Sequence, residues 1–164
     1  ADAIVMVAEP TVARQFKPLF AFYFGGDLPV YSPSIIYEGT PAPSRDRDLN
    51  GVIFTDIPWV LGDDNELRTR ATENLSGTRG QPGRLFAMGA DAWHLSKRLP
   101  LLKQVESASI SGQTGVLTMT PEGSIHREQL WAQFRNGAPE LIPEPVTEEG
   151  EMEGAQEEAP PLSE

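Results

Sequence analysis

The stretch DAIVMVAEPTVARQFKPLFAFYFGGDLPVY, from Asp2 to Tyr31, decides the fold class. Ala3 to Ala8 is a short, unbroken apolar run, the pattern of a strand covered on both faces in a parallel sheet. Glu9-Pro10-Thr11 ends it, because Pro10 has no amide to give a central strand and suits the opening turn of a helix. Thr11 to Phe24 then reads as a helix with Phe16, Leu19, Phe20 and Tyr23 on one face. Pro18 either kinks this helix or marks its true first turn. Gly25-Gly26-Asp27 stops it, and a Pro-flanked second strand lies within Leu28–Tyr37. Strand, helix and strand in this order form a βαβ unit, so the fold class expected is α/β with a mostly parallel sheet.

Working outward, Gly39 to Leu49 is a polar, Pro-rich loop, and Gly51 to Thr55 is a third strand that stops at Asp56-Ile57-Pro58-Trp59. Asp63-Asp64-Asn65 offers N-caps for a helix from Glu66 to about Leu75. The segment GTRGQPG, Gly77 to Gly83, reads as a loop. Arg84 to Leu99 reads as a strong helix with Leu85, Met88, Ala92, Leu95 and Leu99 facing a core, ended or bent by Pro100. Ser109–Gly112 leads into a strand over Thr114–Thr120, followed by the turn Pro121-Glu122-Gly123. Gln129 to Phe134 is a return strand closed by Asn136-Gly137. No internal repeat is visible.

The chain has 164 residues, which is about one domain on a prior of roughly 100–200 residues each. It has no Cys, which removes disulfides, thiolate nucleophiles and Cys-ligated metal sites. No run approaches the ~20 apolar residues of a membrane span. The formal charge of −11 argues against nonspecific binding to nucleic acid or anionic lipid. That charge is concentrated: nine Glu and no Lys or Arg lie from Glu140 to Glu164, leaving 13 basic against 15 acidic residues in positions 1–139. The tail, residues 143–164, is rich in Glu, Pro and Gly and is expected to be disordered, serving as a solubilising terminus or docking a basic partner. The chain opens at Ala1 directly on a buried-strand pattern, with no Met and no signal-peptide core, as expected of a piece of a longer precursor.

The chemical inventory is sparse. His94 has only Asp91, three residues earlier, as a neighbouring metal ligand, so no metal site is expected there; His126 reads as a surface residue. No G-x-S-x-G nucleophile elbow occurs. GTRGQPG looks superficially like a phosphate loop, but it lacks the Lys-Ser/Thr ending and Pro82 removes one amide. Asn74-Leu75-Ser76 is a formal glycosylation acceptor of the kind that arises by chance. Asp56 follows a strand directly, where a carboxylate either faces the ligand crevice of an open α/β sheet or simply forms a turn. Glu9, Thr11 and Tyr37 sit at corresponding strand ends and would share that crevice. Trp59, Trp93 and Trp131 are candidate interface anchors, with Trp93 on a helix of core pattern. No catalytic residue, cofactor or metal is assigned.

Four further runs converge: GVIFTDIPWVLG (Gly51–Gly62), RLFAMGADAW (Arg84–Trp93), SGQTGVLTM (Ser111–Met119) and REQLWAQFRNG (Arg127–Gly137). With the opening βαβ stretch, in this order and spacing over roughly Asp2–Ile142, they resemble the LppC lipoprotein family. The resemblance implies a domain like a type I periplasmic binding protein, with two α/β lobes around a hinged cleft. Residues 1–142 would be the C-terminal part of such a domain. Residues up to about Leu61 would complete one lobe; the helix around Arg84–Leu99 and the strands after Ser109 would belong to the other. Half-built lobes would leave sheet edges and apolar helix faces exposed. The resemblance further implies no enzymatic activity and no cofactor. It implies a lipid-anchored adaptor on the periplasmic side of the outer membrane of a Gram-negative bacterium. That adaptor would bind a class A penicillin-binding protein and stimulate peptide cross-linking. The alternative class is a periplasmic small-ligand sensor or solute-binding protein, which rests on fold analogy alone.

Overall fold

The computed structural model describes residues 2–143 apart from Phe24 and Glu106. Three strands, β1 (Ile4–Val5), β2 (Val30–Ser32) and β3 (Val52–Asp56), lie parallel, with Ile4 opposite Val30 and Val30 opposite Val52. Between β1 and β2 runs α1, Pro10–Phe22, which continues through Pro18. The parallel half is extended by two antiparallel strands from the end of the chain, β7 (Leu130–Arg135) and β8 (Ala138–Leu141), giving the order β1-β2-β3-β7-β8. The sheet is therefore mixed: the expected parallel pairing holds for β1 to β3, and the hairpin turns it antiparallel. Asn136 and Gly137, with φ of 51° and 76°, form the tight turn of that hairpin, as their sequence signals.

Strand alternation places Met6, Val30, Val52, Phe54, Ala132 and Phe134 on one face of the sheet. There they pack with Ala13 of α1 and with Ile36 and Leu49 of two short 3-10 turns, Ser34–Ile36 and Arg47–Leu49. A one-turn helix, α2 (Pro43–Asp46), precedes the second of these. The other face is open. Val5 and Val7 are 74% and 71% exposed, so the Ala3–Ala8 run is buried on one face only, correcting the sequence reading. On the open face Val5, Tyr31 and Trp131 are all left exposed. The face expected for α1 is corrected in part: Phe16, Leu19 and Tyr23 are exposed, while Phe20 packs on this core beside Ala13.

The chain leaves the sheet after β3 through α3 (Pro58–Leu61) and α4 (Glu66–Asn74), the latter capped by Asn65, whose Oδ1 accepts the Arg68 amide at 2.9 Å. The longest element, α5, runs from Gly80 to Gln104. It starts three residues inside the expected loop, with Pro82 in its first turn, and passes Pro100 without ending. Its buried residues are Gly83, Ala87, Asp91 and Leu102. The apolar stripe expected to face a core does so only in part: Leu85 is 67% and Met88 53% exposed, whereas Leu95 packs against Leu102, Ile110 and Leu117. Trp93, also exposed, carries the Lys97 ammonium 4.1 Å from its ring centre.

A second sheet, β4 (Ser109–Ser111), β5 (Val116–Met119) and β6 (Ile125–Glu128), is antiparallel throughout. Ile110 and Leu117 pack on Leu102 near the end of α5. The division expected from the family resemblance is corrected here: β4 to β6 go with α5, but β7 and β8 rejoin the first sheet. From Glu144 onward the acidic tail lies outside the described residues.

Candidate functional site

The elements meet around the first half of α5. Asp56, at the end of β3, is fully buried. Its Oδ1 accepts the Ile57 amide at 2.8 Å and Arg84 Nε at 3.0 Å, and its Oδ2 pairs with Arg84 Nη2. The same Nη2 donates to the Tyr37 carbonyl at 3.0 Å. One guanidinium thus ties the end of β3 and the segment after β2 to α5. A carboxylate and a guanidinium out of water hold each other only because both are paired and hydrogen-bonded.

Two turns further along, Asp91 is buried and accepts from the amides of Gln113 and Thr114, each at 2.7 Å, and from the Thr114 hydroxyl at 2.6 Å. Gly112 lies so close to this carboxylate that no side chain fits there. Gln113 continues the link: its carbonyl accepts the Trp59 amide at 2.9 Å and its Oε1 accepts Asn65 Nδ2 at 3.0 Å. Trp59, buried, donates its indole N–H to the Thr78 carbonyl at 2.9 Å. α3, α4, α5 and the β4–β5 turn are therefore locked at one point.

A third cluster joins α1 to the segment after β2 and to α2. Arg14 of α1 bridges Glu38 at 2.9 Å and buried Asp46 at 2.6 Å, and Arg45 reaches Glu38 at 3.0 Å. Arg14's hydrogen bond holds the Glu38 carboxyl below the ordinary carboxylate range against an opposing effect of burial. The Tyr37 phenol is pushed up to about 12, chiefly by burial and then by the charges of Asp46 and Asp56. Its ring packs against Phe54 and Phe134, both at 5.8 Å between centres.

Of the four residues placed at the crevice from sequence, Glu9 and Tyr37 line one cavity of about 570 Å³, together with Ser34, Glu38 and Gln81. Thr11 is exposed in the first turn of α1 and does not line it. Asp56 is enclosed by Arg84 rather than open to that cavity. Sequence reading missed Arg84 and Asp91 as the organising side chains. The signal was the four-residue spacing of Gly83, Ala87 and Asp91, a small-residue stripe that lets strands and loops approach the helix closely. Among the described residues no group of three His, Cys, Asp or Glu side chains is placed to hold a metal, and no helix is long and apolar enough to cross a membrane.

A βαβ-containing mixed sheet, joined by a long helix to a small antiparallel sheet, defines an α/β protein of the periplasmic-binding-protein kind. A Chromobacterium violaceum structure described as a "putative branched-chain amino acid ABC transporter" shares this fold with TM-score 0.61 and 26% identity, over 82% of this chain and 42% of that one. The chain belongs to the LppC lipoprotein family: the family described as "LppC putative lipoprotein" matches residues 1–137. It is 30% identical to the penicillin-binding protein activator LpoA of Escherichia coli (strain K12) over 138 residues, 83% of this chain and 20% of that protein. It superposes on the LpoA (YraM) C-domain from Haemophilus influenzae, described as a regulator of PBP1A, with TM-score 0.72 and 29% identity, over 87% of this chain and 45% of that one. The chain thus spans one fifth of the relative it matches and under half of the solved C-domain.

Proposed function

We propose that this chain is part of a non-catalytic activator of peptidoglycan synthesis that binds a class A penicillin-binding protein and stimulates its peptide cross-linking. The observation that carries the reading is the superposition on a regulator of PBP1A over 87% of the chain. On this reading residues 1–142 form the C-terminal part of a periplasmic-binding-protein-like domain, and residues 143–164 are an acidic tail outside it. The protein works from the periplasmic side of the outer membrane, held there by a lipid anchor elsewhere in the longer polypeptide. Chemistry is left to the synthase. The geometry supports that division of labour, because the buried charged groups Asp56, Arg84 and Asp91 are spent on holding elements together. On this reading the cavity lined by Glu9 and Tyr37 belongs to the interlobe cleft, without Thr11 or the enclosed Asp56.

The test is a direct binding titration of the full-length protein against the class A penicillin-binding protein of the same organism. Saturable binding is expected. No binding by the intact protein contradicts the proposal.

A further inference from the structure

The segment Gly77–Gly83, which in sequence only superficially looks like a phosphate loop, leads in the structure to the N-terminus of α5, at the edge of a cavity of about 540 Å³. Gly39, Thr40, Arg68, Thr72, Thr78 and Arg79 are among the residues that line it. It is separate from the Glu9–Tyr37 cavity and shares no lining residue with it. We infer that this cavity is a binding site for a small oxyanion, a carboxylate or a phosphate group.

Three observations point to it. The first is the helix terminus. α5 has 25 residues, Arg79 at its N-cap gives no side-chain cap, and the Gly80 and Gln81 amides make no backbone hydrogen bond among the described residues. These orphan donors at the positive end of a long helix attract an anion. The second, independent of the helix, is Thr78. It is 5% exposed and lines the cavity, and its hydroxyl makes no hydrogen bond to a described residue, while its carbonyl is taken by Trp59. A hydroxyl so placed is free to donate to a ligand oxygen. The third is charge. Arg79 makes no ion pair among the described residues. Behind the wall, Arg84 Nη1 is buried without a partner, 3.3 Å from where a Cβ on Gly39 would stand.

Two carboxylates also line the cavity. Asp64 is engaged by Arg68 Nε at 3.4 Å, and Glu73 is exposed. Together they oppose polyanions, so the site suits one oxyanion group on a small ligand.

The experiment is an amide NMR titration of the full chain with sodium phosphate and, separately, sodium acetate, at constant ionic strength against chloride. Saturable shifts at Thr78, Arg79 and Gly80 are expected. Thr78→Val, close to isosteric, and Arg79→Gln, at an exposed position, should each weaken the affinity by about tenfold, the loss of one hydrogen bond to a charged group. Lys97→Gln, further along the same helix, should leave it unchanged. Saturation with phosphate alone assigns the site to phosphate; saturation with acetate as well assigns it to oxyanions generally. The absence of saturable shifts with either anion overturns the proposal, as do shifts that persist undiminished in the Thr78→Val, Arg79→Gln double variant.

Discussion

Asp56 and Asp91 are both buried carboxylates against α5, but they are satisfied by different means. Asp56 faces a cation, Arg84, and the pair is closed off from water at the end of β3. Asp91 faces only neutral donors, two amides and a hydroxyl, at the turn between β4 and β5. The first joins α5 to the five-stranded sheet by charge, the second joins α5 to the three-stranded sheet by hydrogen bonds. Removing one member of a buried ion pair strands the other charge, whereas removing a hydrogen-bond acceptor strands dipoles. The two attachments should therefore fail differently.

The largest effect is expected from Asp56→Asn, which keeps shape but leaves the Arg84 guanidinium without a counter-charge. We expect a loss of about 3–5 kcal/mol in chemical denaturation. A cycle completed with Arg84→Met should recover most of it; an additive double variant would show that the pair is not coupled. Next is Asp91→Ala, which leaves the Gln113 and Thr114 amides unsatisfied. About 2–3 kcal/mol should be lost, with hydrogen exchange quickening in β4 and β5 before β2 and β3. Equal quickening in both sheets would erase the distinction drawn between the two attachments.

A smaller effect belongs to the Arg14 cluster. The Glu38 carboxyl is held below its unfolded value of 4.5 by Arg14, so it contributes stability above that pH and loses it as pH falls through the folded value. Glu38→Gln should flatten the acid limb of the stability profile while costing under about 1 kcal/mol near neutrality, since the side chain is one-third exposed. The smallest change is expected from Leu85→Gln. The helical period makes Leu85 look like a core residue, yet it is 67% exposed, and its replacement should change the unfolding free energy by less than about 0.5 kcal/mol.

The contrast between Leu85 and Asp91 also shows what was legible in the sequence. Apolar period and turn residues located most elements: the βαβ opening, the Asn65 cap, the Asn136-Gly137 hairpin and the long helix. The inward side of the first half of that helix was not legible. Periodicity finds the apolar stripe, but which stripe is buried depends on what lies against it, and here small residues and a carboxylate make the close contacts. The return of β7 to pair with β3 was hidden for the same kind of reason: Phe54 meets Ala132 only across a long loop closure that local pattern does not encode. At the crevice, strand ends brought Glu9 and Tyr37 to one cavity, whereas the partner of Asp56 is 28 residues away in sequence and carried no local signal.

The central functional claim is best tested by peptide cross-linking. The class A penicillin-binding protein of the same organism would be assayed alone, with the full-length protein, and with that protein lacking residues 1–142. The account predicts increased cross-linking with the intact protein and a return to the basal level when the segment is removed. Stimulation that is undiminished without residues 1–142, or absent with the intact protein, would contradict it.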